Sequence, residues 1–177
     1  MLGAAVAVLA LVAILQGDAG SPPVVRGTPA PGFELRRLGS PAGDAAERLD
    51  LESFEGRVVL VNFWATWCEP CEREMPAMER LYRRLSGPDF ELIAVAIDEE
   101  EAKVQAFQDR YRLSFPIVLD LDQRVYQSYQ TMGVPESLLL DRNGLIVERY
   151  VGPREWDAPE HVARIERVLA RAGGDPP

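Results

Sequence analysis

The chain's only two cysteines, Cys68 and Cys71, stand three residues apart where an apolar run gives way to a helical pattern. Before them Val58-Val59-Leu60-Val61 reads as a buried strand. After them Met75, Met78, Leu81, Tyr82 and Leu85 recur on one helical face. The junction constrains the chemistry as well as the fold. Unpaired backbone N–H groups and the positive end of the helix dipole stabilise a thiolate there, so Cys68 becomes nucleophilic near neutral pH. Cys71 is close enough to close a short disulfide on it. Pro70 suits the first helical turn, where a missing N–H leaves no helical hydrogen bond unmade.

Two plainer readings compete with a redox dithiol. A structural disulfide across so short a loop constrains little chain entropy and stabilises weakly. A zinc site needs two more ligands, and the chain holds no further cysteine and one histidine, His161. Strand, CxxC and helix in this order favour redox exchange.

The run Phe63-Trp64-Ala65-Thr66-Trp67-Cys68-Glu69-Pro70-Cys71, followed by Glu74-Met75-Pro76, resembles the thioredoxin superfamily. More narrowly it is similar to the TlpA/ResA-like extracytoplasmic thiol–disulfide oxidoreductases, from about Ala30 to about Trp156. That resemblance implies an α/β fold: a thioredoxin-like three-layer sandwich with an N-terminal hairpin and a central helix–strand insertion. It implies that Pro135, within Gly133-Val134-Pro135-Glu136-Ser137, is the superfamily's cis-proline. The ring would then lie against the dithiol, and the Val134 backbone would be free to pair with an extended substrate strand. Trp67 and Pro70 would complete the substrate-binding rim, while Trp64 reads equally well as core.

In chain order, residues 1–19 form an apolar leader, read as a signal sequence or membrane anchor; Leu2 to Leu15 carries no charge. Residues 20–31, rich in proline and glycine, read as a linker, 32–172 as the domain and 173–177 as a tail. Phe33–Leu38 and Leu49–Leu51 are candidate strands of the hairpin, and Gly39 to Ala46 a loop. A helix from Cys71 to about Leu85, kinked at Pro76, precedes the near-continuously apolar strand Phe90–Ile97. Acids at Asp98 to Glu101 suit the start of a helix reaching Arg110. Phe115–Asp120 reads as a strand and Val125–Tyr129 as a short helix. Asn143-Gly144 turns a terminal hairpin. Asp157 as N-cap, with Glu160 three residues on, opens the last helix, which leaves His161 solvated.

A net charge of −9 argues against nucleic acid as partner and against attraction to an anionic membrane surface. Membrane contact is expected only through the leader. By exchange chemistry the Cys68 thiolate attacks a protein disulfide and Cys71 resolves the mixed disulfide, with no cofactor and no metal. The resemblance implies an extracytoplasmic reductant, apocytochrome c among its substrates, recharged by a membrane thiol transporter. An oxidase or isomerase shares every motif. A copper chaperone of this fold wants Cys-x-x-x-Cys and a distal histidine. A peroxiredoxin wants Pro-x-x-x-Thr-x-x-Cys, whereas Thr66 is two residues before Cys68 and Asn62 stands where that threonine's proline would be. Asn62 also occupies the position of the buried aspartate of cytosolic thioredoxins, so the carboxylate that would take the Cys71 proton is vacant or moved. Glu69, between the cysteines, and Glu99, which the resemblance places beside the site, are the candidates. Either would raise the Cys68 pKa against the helix dipole.

Overall fold

The computed structural model describes residues 22–40, 48–98 and 100–171. The expected leader, most of the Gly39–Ala46 loop, Glu99 and the tail lie outside the described residues.

Apolar side chains at every position but Asn62 make β3 (Val58–Trp64) a central strand, buried along its whole length. It pairs in parallel with β4 (Phe90–Ala96), equally buried, and antiparallel with β6 (Glu136–Leu140). Outward from β4 come β5 (Ile117–Leu119), β1 (Glu34–Arg37) and β2 (Arg48–Asp50); outward from β6 comes β7 (Ile146–Val151). The expected N-terminal hairpin is β1 against β2, with Leu35 opposite Leu49. The Asn143-Gly144 turn joins β6 to β7, and Gly144 takes φ +72°, which suits a residue without Cβ.

Alternation along β3 sends Phe63 and Trp64 to opposite faces. Trp64 packs on Phe107 of α2 (Glu101–Tyr111), ring centroids 4.8 Å apart. On that face lie also α1 (Glu69–Leu85), joined to α2 by Glu72 with Tyr111, and α4 (Pro159–Leu169), joined to α1 by Arg84 with Glu166 at 3.1 Å. Phe63 meets Tyr126 of α3 (Arg124–Ser128) and Tyr129 on the other face. Helix, sheet and helix give the three layers, and the stretch after β4 that holds α2 and β5 is the central helix–strand insertion.

Three helix starts differ from expectation. α1 begins at Glu69, two residues early, because Cys68 itself caps it: Sγ accepts the Cys71 N–H at 3.2 Å. At α2 no side chain caps the N-terminus. Asp98 turns instead to the Thr66 N–H and hydroxyl, while Glu100 and Glu101 are held by the charged donors Lys103 and Arg36. At α4 the N-cap is Ala158, again without a side-chain bond. Arg80 holds the Asp157 carboxylate through two bonds, 2.6 and 3.2 Å, and Pro159 presets the first turn. His161 is half-buried rather than solvated, with its ring against Trp156 and Tyr150 at 5.5 and 5.9 Å.

Candidate active site

The end of β3 delivers Ala65-Thr66-Trp67 into a tight turn before α1. Buried Asp98, just past β4, holds that turn by accepting the Thr66 N–H at 3.0 and 3.1 Å and the Thr66 hydroxyl. Cys68 and Cys71 are joined as a disulfide with Cα atoms 5.2 Å apart. Cys68 is 5% exposed and Cys71 fully buried, so only the first sulfur can meet an incoming group. Pro70 lies in the first turn of α1. Trp67, 67% exposed, stands at the rim, while Trp64 is core. The Cys71 N–H that now points at Cys68 Sγ would stabilise a thiolate there after reduction.

Across from the dithiol runs the segment before β6, and its Val134–Pro135 peptide is cis. The Val134 carbonyl oxygen lies 3.4 Å from Cys68 Sγ. A disulfide sulfur carries no hydrogen, so this is a packing contact. It nevertheless sets the Val134 backbone beside the reactive atom, where an extended peptide can pair with it.

Beneath the dithiol lies a carboxylate that sequence reasoning missed. Glu74 is one helical turn beyond Cys71, on the same face of α1, and buried at 3% exposure. Its Oε1 accepts from Asn62 Nδ2 at 3.1 Å; its Oε2 accepts the Arg154 N–H at 3.0 Å and the Trp156 indole N–H at 3.2 Å. Asn62 Nδ2 also donates to Ser137 Oγ at 2.9 Å, and Asn62 Oδ1 is left without a partner. Burial pushes the Glu74 pKa from the usual 4.5 to about 7, against the lowering by its donors, chiefly the Arg154 amide. The acid missing at Asn62 has thus moved to the neighbouring helix, where it can exchange a proton near neutrality. A signal existed in the sequence: Glu74 interrupts the apolar stripe of α1 one residue before Met75.

The proposed acids fare differently. Glu69 is 82% exposed at its side chain and its carboxylate is held by Arg73 one turn on, pointing along the helix surface through solvent. Glu99 lies outside the described residues. Among the described residues no group of three or more His, Cys, Asp or Glu is placed to hold a metal ion, and no helix is long and apolar enough to cross a membrane.

Comparison with known proteins places this geometry among relatives. The AhpC/TSA family matches residues 26–149. Thiol-disulfide oxidoreductase ResA of Halalkalibacterium halodurans is 45% identical over 106 residues, 60% of this chain and 60% of that one. The ResA of Geobacillus kaustophilus is 36% identical over 144 residues, covering 81% of this chain and 79% of its own. Among solved structures, a Chlorobium tepidum chain assigned as thiol:disulfide interchange protein DsbE superposes with a TM-score of 0.73 at 27% identity, over 82% of this chain and 99% of that one.

Proposed function

Since this chain belongs to the AhpC/TSA family and is a thiol–disulfide oxidoreductase of the thioredoxin fold, we propose that it works as a reductant of protein disulfides. The observation that carries the reading is the asymmetry of the dithiol: Cys68 slightly exposed as N-cap of α1, Cys71 fully buried one helical turn before Glu74. In the reduced protein the Cys68 thiolate attacks one sulfur of a substrate disulfide. That S–S bond breaks, a mixed disulfide forms, and the substrate's other sulfur leaves as thiolate. Cys71 gives its proton to the Glu74 carboxylate and attacks Cys68 Sγ, restoring the disulfide seen here and releasing the second substrate sulfur. The substrate gains two electrons and the protein loses them, so each cycle needs a dithiol donor. A carboxyl that titrates near pH 7 suits the proton step, because it neither holds nor releases its proton strongly there.

The reading places the protein outside the cytoplasm, either exported or tethered by the apolar leader, with a membrane thiol transporter as donor and apocytochrome c as a candidate substrate. The family resemblance supports these assignments. A trap tests them together. Cys71→Ala should freeze the mixed disulfide with the physiological substrate, which mass spectrometry would name, and Cys68→Ala should abolish exchange. A dithiol potential as oxidising as about −120 mV would instead make the protein an oxidant and sink the reading.

A further inference from the structure

A second buried glutamate near the dithiol is Glu136, directly after the cis-proline and 1% exposed. Both of its oxygens are engaged. Oε1 is ion-paired with Arg149 Nε across the β6–β7 hairpin, and Oε2 accepts the Met132 N–H at 3.3 Å. The Arg149 guanidinium does more than neutralise that charge. Its Nη2 donates to the carbonyls of Tyr129 and Gln130 at 3.1 and 3.0 Å, and its Nη1 to the carbonyl of Val24 at 2.9 Å. Gln130 closes the circuit, accepting the Val24 N–H at 3.3 Å and donating to the Pro22 carbonyl at 3.0 Å. The arginine fork and the glutamate therefore grip the Tyr129–Glu136 segment at both ends. Between the grips are Met132, 88% exposed, and Val134, which touches Cys68 Sγ.

Nothing in dithiol exchange requires a buried ion pair at this place. A hydrophobic pair of similar volume is commonly as stabilising, so stability alone explains it poorly. What the pair does have is geometry. It fixes both ends of the short edge on which an incoming backbone would pair, and a preformed edge spares the ordering entropy that binding would otherwise cost. We propose that Glu136 and Arg149 are positioning residues for substrate capture: they hold Met132–Val134 as a rigid edge that pairs with the extended, cysteine-bearing segment of a disulfide substrate. This rests on the reading of the protein as a reductant of protein disulfides, and adds to it the side chains that hold the pairing edge in shape.

The test separates backbone pairing from chemistry by substrate size. Glu136→Gln keeps the shape but offers one acceptor where two are used, so one of the two grips must fail. The double variant Glu136→Gln/Arg149→Met removes both charges and leaves no stranded ion. Each is reduced and assayed against a cysteine peptide joined as its disulfide dimer, and against dithionitrobenzoate, which has no backbone to pair. KM for the peptide should rise about tenfold in both variants, while kcat and the dithionitrobenzoate rate stay within about twofold. Hydrogen exchange at the Met132 amide should speed up in parallel, which reports the loosened edge directly. An unchanged peptide KM overturns the proposal. So does a parallel loss on both substrates, which is the mark of a merely structural role. Failure of the underlying reading is distinct: the wild-type protein would then reduce neither disulfide, and the proposal would fall with it.

Discussion

Two glutamates lie out of water on either side of the dithiol, and their partners differ in kind. Glu74, on the helix side, faces an amide, an indole and a backbone N–H, none of them charged. Glu136, on the cis-proline side, faces a guanidinium. Neutral donors only partly replace the water a carboxylate has lost, so Glu74 keeps its proton up to about pH 7. A guanidinium fork replaces that water with charge and fixed direction. One side of the site is built to move a proton, the other to hold a shape.

The largest effect should come from breaking the charged side alone. Arg149→Met leaves Glu136 buried without its counter-ion and should cost about 3–5 kcal/mol in denaturant unfolding, most of it recovered in Glu136→Gln/Arg149→Met. Equal losses in the single and double variants would contradict the ion-pair account.

On the neutral side the effect is next in size and depends on pH. Because the folded pKa of Glu74 is raised, folding binds a proton between about pH 4.5 and 7 that the unfolded chain has released. Its contribution to stability is greatest below the unfolded value and is lost as pH rises through 7. Glu74→Gln should remove that dependence and stabilise the protein by up to about 3 kcal/mol at pH 8, relative to wild type. Asn62 can accept the change, since its unpartnered Oδ1 is available to a glutamine N–H if the amide turns over. The same substitution should slow disulfide release from the Cys71 step. A stability–pH curve identical to wild type would remove the neutral-donor half of the comparison.

Asn62→Asp sharpens the contrast by placing a carboxylate where Glu74 now finds a donor. Two acids sharing one buried site cannot both ionise, so the variant should lose on the order of 2 kcal/mol at pH 8 and recover as pH falls. The smallest effect is expected from Glu69→Gln. That carboxylate is solvated and paired on the surface with Arg73, so melting temperature and dithiol potential should both stay at wild-type values. A potential that moves would return Glu69 to the site.

The difference between these acids also marks where sequence reading stops. The dithiol and the Asn143-Gly144 hairpin are legible because each is a local pattern with a local physical cause, whereas the cis bond at Pro135 is implied only by the family resemblance. Glu74 is harder. Its position beyond Cys71 on the α1 stripe is visible, but two of its donors, Arg154 and Trp156, come from the far end of the chain. Glu136 stood as a lone acid opening an apolar run, and its partner was one hairpin away. Pairing places Arg149 opposite Leu138 and Val151 opposite Glu136, so the contact is diagonal and depends on side-chain direction rather than on register. Asp157 shows the opposite error: a sound capping pattern was set aside because Arg80, from another helix, offered a stronger bond.

The Pro22–Val25 segment, bonded to Gln130 and Arg149, gives the domain a practical polarity. It is fastened to Gln130, so the first described residues join the segment that runs on to Val134 beside Cys68. The other end leaves elsewhere. Leu169, closing α4, is held by Arg142, which also binds Gly56 and Asp89 at the end of the sheet where β3 and β4 begin. A reporter, affinity handle or surface linker joined ahead of Pro22 would crowd the approach of a protein substrate, whereas one joined beyond Arg171 would leave that face open.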